Sequence, residues 1–98
     1  MIKSNKQYMS YFVYILRTSG NTLYIGQTNN LEKRLEEHKD RSGKSAKYLR
    51  MFPSFHLVYK EEYPTREEAM QREWQLKQWP HKKKEVLIEG DKMILKKL

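Results

Sequence analysis

Four side chains within one short stretch have the chemistry of a site: Tyr14, Tyr24, Arg34 and His38. Arg34 and His38 lie one helical turn apart, on a stripe shared with Leu31 and Leu35, while Glu32, Lys33, Glu36 and Glu37 point elsewhere. An arginine on the apolar side of a helix needs a partner, because burying its charge alone is expensive. Something must receive that charge, and beside it stands an imidazole, the side chain that titrates nearest neutral pH. Binding an anion and handling a proton is chemistry open to such a group.

The elements needed to position these residues are legible. The runs Tyr11 to Leu16 and Thr22 to Ile25 are aromatic and β-branched, and Ser19-Gly20-Asn21 supplies turn residues between them, so the stretch predicts a hairpin. A three-residue loop pairs Leu16 with Tyr24 and Tyr14 with Gly26, which makes Tyr14 and Tyr24 diagonal neighbours on one face. A helix follows to about Asp40. Asn29 with Glu32 has the spacing of a capping box, and Asn30 is the other candidate cap.

Further along, Arg41 to Arg50 (RSGKSAKYLR) carries four cations and suits a loop or short helix facing an anion, with an ordinary solvated loop equally consistent. Phe55 to Tyr63 alternates as a third strand, placing Phe55, Leu57 and Tyr59 on one face. Thr65 caps a helix running to about Trp79, with Glu68 completing a capping box and Ala69, Met70 and Leu76 on the buried side. Glu73 falls among them. An ion pair with Lys77 or Arg34 accounts for it, and so does a metal-ligand role.

Pro80 opens a last helix, His81 to Glu89, which Gly90 is expected to stop and Val86, Leu87 and Ile88 to fasten to the core. Lys82, Lys83 and Lys84, with Lys77 and Trp79, form a basic strip suited to phosphate contact and base stacking. Trp74 and Trp79 read as core or core-edge residues. The expected organisation is a flexible segment over 1–10, one domain over 11–90 and a mobile tail over 91–98.

Composition narrows the function classes. With 38% hydrophobic and 33% charged residues, the chain is globular rather than disordered. A net charge of +8 favours a polyanionic partner. The lack of cysteine excludes disulfides, thiolate zinc sites and cysteine nucleophiles, and histidines at 38, 56 and 81 form no zinc motif. No apolar run approaches the ~20 residues of a membrane span, so a cytoplasmic protein is expected.

Tyr14 within Phe12-Val13-Tyr14, then Tyr24-Ile25-Gly26, Arg34, His38 and Glu73 together resemble the GIY-YIG nuclease domain. The second triplet is intact, whereas Phe12 and Val13 replace the glycine and isoleucine of the first. The resemblance implies an α+β fold, a three-stranded antiparallel sheet flanked by helices in the order β-β-α-β-α-α. It implies a metal-dependent endonuclease that hydrolyses phosphodiester bonds of DNA, with single-stranded DNA or RNA as the alternative substrates; a monomer is expected.

In that reading Glu73 holds one Mg²⁺ or Mn²⁺, Arg34 clamps a phosphate oxygen, and Tyr14 and Tyr24 orient or deprotonate the attacking water. His38 relays the proton or holds a tyrosine hydroxyl. An asparagine that some members carry after the metal-binding glutamate has no counterpart, since the chain holds no asparagine beyond Asn30. With no added DNA-binding domain, the chain resembles the small stand-alone members. Affinity for nucleic acid then falls to Lys44, Lys47, Arg50, Lys77, Lys82, Lys83 and Lys84. The alternatives are a nucleic-acid-binding module that keeps the fold without cutting, and a protein-interaction domain with an acidic partner.

Overall fold

A computed structural model describes residues 10–40 and 45–97. Lys44 and the segment before Ser10 lie outside the described residues. The elements run β1 (Tyr11–Thr18), β2 (Leu23–Thr28), α1 (Leu31–Asp40), a single 3-10 turn (Leu49–Met51), β3 (Phe55–Tyr63), α2 (Arg66–Lys77) and α3 (His81–Lys97). The three strands form one antiparallel sheet in the order β2-β1-β3. This is the expected α+β fold.

The hairpin register is the one the short loop demands: Leu16 pairs with Tyr24 and Tyr14 with Gly26. Its turn places Asn21 at φ 64°, a conformation asparagine tolerates better than other side-chain-bearing residues. The Asn21 amide oxygen accepts from Arg17 Nη1 at 3.0 Å, which helps hold the turn.

Alternation along the buried central strand divides the core in two. Val13 and Ile15 point with Ile25 to one face, where Ala69, Leu76 and Ile88 of α2 and α3 cover them. Tyr14 and Leu16 point to the other, against Leu49, with Tyr24, Leu31, Leu35 and Phe55 packed around them. Each fully buried aliphatic side chain contributes about 1.5–3 kcal/mol, and together they fix the register: a slip by one residue would exchange the faces.

Several expectations are corrected. Ile15 pairs with Tyr59 but Leu16 with Leu57, so Val58 is an extra residue on β3. This bulge sends Phe55 and Tyr59 to opposite faces, because it exchanges the in-out alternation halfway along the strand. Asn30, not Asn29, caps α1, its Oδ1 accepting from Lys33 N at 3.1 Å. Met70, Trp74 and Val86 are exposed rather than buried; each lies on the outer side of a helix whose inner side is already filled by Ala69 and Leu76 or by Ile88. Gly90 does not end α3, which continues to Lys97. A glycine stop needs a left-handed backbone, and no glycine among the described residues has positive φ.

Candidate active site

The rings of Tyr14, Tyr24 and His38 form a triangle, with centroids 6.4 Å (Tyr14 to Tyr24), 6.1 Å (Tyr14 to His38) and 5.7 Å (Tyr24 to His38) apart. The hairpin supplies the tyrosines and the last turn of α1 supplies the histidine. Gly26 makes room for the first of them. A Cβ there would stand 2.5 Å from Tyr14 Oη and 2.6 Å from Cζ, so the glycine is required by close approach, not by its backbone angles.

Tyr14 Oη and His38 Nε2 are 3.0 Å apart in a buried hydrogen bond. On the other side of the ring, Nδ1 accepts from the Ala46 backbone N–H at 3.4 Å. An Nδ1 that accepts carries no proton, so the ring proton of the neutral imidazole sits on Nε2 and His38 donates to the tyrosine oxygen. Burial first, and the Arg34 charge second, push His38 down to about 4, with Glu37 opposing in part. His38 is therefore neutral at physiological pH, in the tautomer that donates to Tyr14.

Arg34 acts on that oxygen through its charge, which draws the Tyr14 pKa down. Its Nη1 bonds Glu37 Oε1 at 2.8 Å. Burial works against the Arg34 charge, but Glu37 and the Tyr14 hydroxyl together hold its pKa above the usual arginine value. The charge anticipated to need a partner thus finds it on its own helix. Burial first and Tyr24 second push Tyr14 up to about 12; Arg34 pulls it down, and the Glu73 charge adds a smaller upward push. Glu73 therefore lies within electrostatic reach of the tyrosine although α2 packs on the opposite face of the sheet.

Glu73 Oε2 is 2.9 Å from Lys77 Nζ, one turn along α2. Among the described residues no three His, Cys, Asp or Glu side chains gather as a metal site. The donor set is thus one carboxylate. That suits Mg²⁺ or Mn²⁺, which accept a single protein carboxylate and fill the remaining positions with water and substrate phosphate oxygens. The carboxylate also already carries a cation in the Lys77 ammonium.

The basic residues are distributed unevenly. Lys47, Arg50, Lys82 and Lys83 are exposed, and Lys84 is half-buried. Lys83 Nζ lies 4.1 Å from the Trp79 ring centroid and Arg72 5.2 Å from it, so two cations lie against the Trp79 ring. One contributor escaped the sequence. Tyr48 lies near-parallel to Tyr24, with centroids 6.3 Å apart and planes at 17°, and its hydroxyl donates to Thr22 Oγ1 at 2.6 Å. Nothing in an irregular loop announces such placement. Gly26, by contrast, was marked by its pairing with Tyr14.

Residues 10–85 match the GIY-YIG catalytic domain. A UPF0213 protein of Bacillus pumilus is 44% identical over 80 residues, 82% of this chain and 80% of the relative. UPF0213 protein YazA of Bacillus subtilis is 40% identical over 82% of this chain and 79% of its own. The solution NMR structure of UPF0213 protein BH0048 from Bacillus halodurans superposes with a TM-score of 0.54 at 37% identity, covering 83% of this chain and 84% of the other. With two tyrosines on a hairpin, an arginine and a histidine on the helix that follows and a matching domain over residues 10–85, the chain belongs to the GIY-YIG nuclease family.

Proposed function

We propose that this protein is a metal-dependent endonuclease that hydrolyses phosphodiester bonds in DNA or RNA, with Tyr14, Tyr24, Arg34, His38 and Glu73 as its site. The observation that carries the proposal is the Tyr14 oxygen. It is buried, accepts from His38 Nε2, and lies within reach of the Arg34 charge, which draws its pKa down. A phenol oxygen with a donor aimed at it and a guanidinium charge nearby is prepared to bear negative charge, and we assign it, once deprotonated, to the attacking water.

In the resting protein this tyrosine is almost wholly a neutral phenol, since a value of about 12 leaves about one phenolate in a hundred thousand at neutral pH. Bound at Glu73, Mg²⁺ or Mn²⁺ would offset negative charge on the phosphate and lower the cost of deprotonating nearby oxygens. Once its own proton has passed to solvent, the Tyr14 phenolate, stabilised by the His38 donor and the Arg34 charge, positions the attacking water and accepts its proton. Arg34 also offers a guanidinium donor to a non-bridging phosphate oxygen. Tyr24 packs against both His38 and Tyr14, orienting them. His38 holds a tyrosine oxygen rather than relaying a proton, because its Nδ1 faces a backbone donor.

Lys47, Arg50, Lys82, Lys83 and Lys84 supply phosphate contacts, and Lys44 is assigned the same role from the sequence. Binding should weaken strongly with salt. The non-cutting nucleic-acid module remains the second reading, supported by the Glu73–Lys77 ion pair, which gives the glutamate a structural occupation.

Cleavage of labelled single-stranded DNA, duplex DNA and RNA with Mg²⁺, Mn²⁺ or chelator tests the choice. Metal-dependent cutting lost in folded Glu73→Ala and Arg34→Ala variants is the expected result. Salt-sensitive binding without cutting by wild type, with Glu73→Ala losing stability alone, would establish the binding module instead.

A further inference from the structure

We propose that the hollow bounded by Tyr24, Tyr48, Lys77 and Lys84 is a phosphate subsite for the strand beside the cleaved bond. We further infer that it is completed only when a divalent cation at Glu73 releases the Lys77 ammonium into it. The inference rests on the nuclease reading above and adds a site and a coupling to it.

The hollow has a volume of about 320 Å³ and is lined by Leu23 and Ile25 together with those four side chains. Its walls are fixed. Tyr48 is tied to Thr22 through its hydroxyl and flanked by Phe52, with ring centroids 5.3 Å apart. Lys84 stands on the first turns of α3, next to Glu85, and Arg17 grips Glu85 through two bonds of 2.8 and 2.7 Å that pin the helix to β1. Among the described residues Lys84 makes no ion pair. One cation of the hollow is thus available to an anion.

Lys77 is not. It lines the same hollow, yet its ammonium lies on the Glu73 carboxylate. Its side chain is 52% exposed, and its flexible stem leaves it able to turn. One ammonium cannot both neutralise the carboxylate and bind a phosphate with full strength. A divalent cation on Glu73 supplies more positive charge than the lysine it displaces and repels the ammonium toward the hollow. A phosphate there meets two lysines and a neutralised glutamate, where before it met one lysine and an ion pair. Cation and strand therefore favour each other's binding, and the effect must be reciprocal.

The test measures Mn²⁺ binding by calorimetry and electron paramagnetic resonance, with and without a nuclease-resistant phosphorothioate oligonucleotide. In the absence of the strand, Lys77→Met should tighten Mn²⁺ about two- to fivefold, the strength of a partly exposed ion pair. The factor by which Mn²⁺ tightens strand binding should shrink in the same variant. Lys84→Met should weaken the strand and leave Mn²⁺ affinity alone.

The proposal is overturned if Lys77→Met leaves Mn²⁺ affinity or the coupling unchanged, or if Lys84→Met tightens Mn²⁺ equally, which would reduce the effect to general charge. A Glu73-dependent Mn²⁺ site indifferent to Lys77 sinks the subsite and leaves the nuclease reading standing. Mn²⁺ binding that Glu73→Gln does not disturb sinks both.

Discussion

Acid should destabilise this protein through His38 before its carboxylates titrate. The imidazole side chain belongs to a residue only 1% exposed. Its pKa is pushed down to about 4 from an ordinary 6.5, by burial first and then by Arg34. The geometry agrees. Protonation would place an N–H on Nδ1 directly against the Ala46 N–H that now donates to it, turning a hydrogen bond into two opposed donors.

Because the folded value lies below the unfolded one, the unfolded chain takes up the proton first. Stability is complete above about pH 7, falls as pH drops from 6.5 toward 4, and then levels off. The separation corresponds to about 3 kcal/mol, with a slope of at most about 1.4 kcal/mol per pH unit. That is a large share of the ~5–15 kcal/mol that holds a typical domain together.

Urea unfolding followed by tryptophan fluorescence at about pH 7, 6 and 5 should show wild type losing stability steeply. His38→Gln keeps an amide donor for Tyr14 but cannot titrate, and should lose far less over the same interval. Its absolute stability is immaterial; the slope is the readout. Parallel curves for the two proteins would refute both the neutral buried imidazole and the tautomer deduced from it.

The same histidine constrains catalysis: nuclease activity should show no acid limb near pH 6.5, and a limb there that His38→Gln removes would restore a proton-relay role to it. Gly26→Ala should cost about 1–3 kcal/mol and most of the activity, since its Cβ would collide with Tyr14 Oη and Cζ; wild-type activity in a folded variant would disprove the close approach. Glu61→Gln should cost about 2–3 kcal/mol in thermal or urea unfolding. The carboxylate accepts from Tyr59 at 2.5 Å, Tyr63 at 2.6 Å and Arg72 at 2.9 and 3.0 Å. Burial would raise Glu61, but these donors hold it below the usual carboxylate range, so the effect of the substitution should vanish once pH falls low enough to protonate the wild-type glutamate.

What could be read from the sequence followed from periodicity and turn chemistry. The hairpin register needed only the Ser19-Gly20-Asn21 loop, and with it came the neighbourhood of Tyr14, Tyr24 and Gly26. Arg34 and His38 were placed by the 3.6-residue period of α1. The β3 bulge was invisible because Val58 looks like any other strand residue, and it reversed the expected face of Tyr59. Trp74 misled for a different reason. Its size suggested burial, but Ala69 and Leu76 already occupy the inner side of α2, and Trp74 is left 66% exposed. The tautomer of His38 could not be read at all, since it depends on a backbone N–H eight residues away in an irregular loop.

The altered first triplet suggests a protein that binds without cutting, but the positions involved argue otherwise. Val13 is fully buried with Ile15 on the α2 and α3 side of the sheet, away from the ring cluster, so any close-packing aliphatic residue serves there. Phe12 lies two residues from Tyr14 on the same strand, and its surroundings are Leu31, Leu35 and Lys60, the last with its ammonium 5.9 Å from the ring centroid. None of these is a site residue. The triplet contributes chemistry only through Tyr14, whose hydroxyl, histidine donor and glycine gap are all present. The two substitutions therefore change how β1 packs against its neighbours and leave the oxygen on which the proposed reaction turns where it was. Replacing Phe12 by glycine should accordingly lower stability through lost packing, with kcat in the folded fraction little changed; a rise in kcat of tenfold or more would mean that Phe12 obstructs the site.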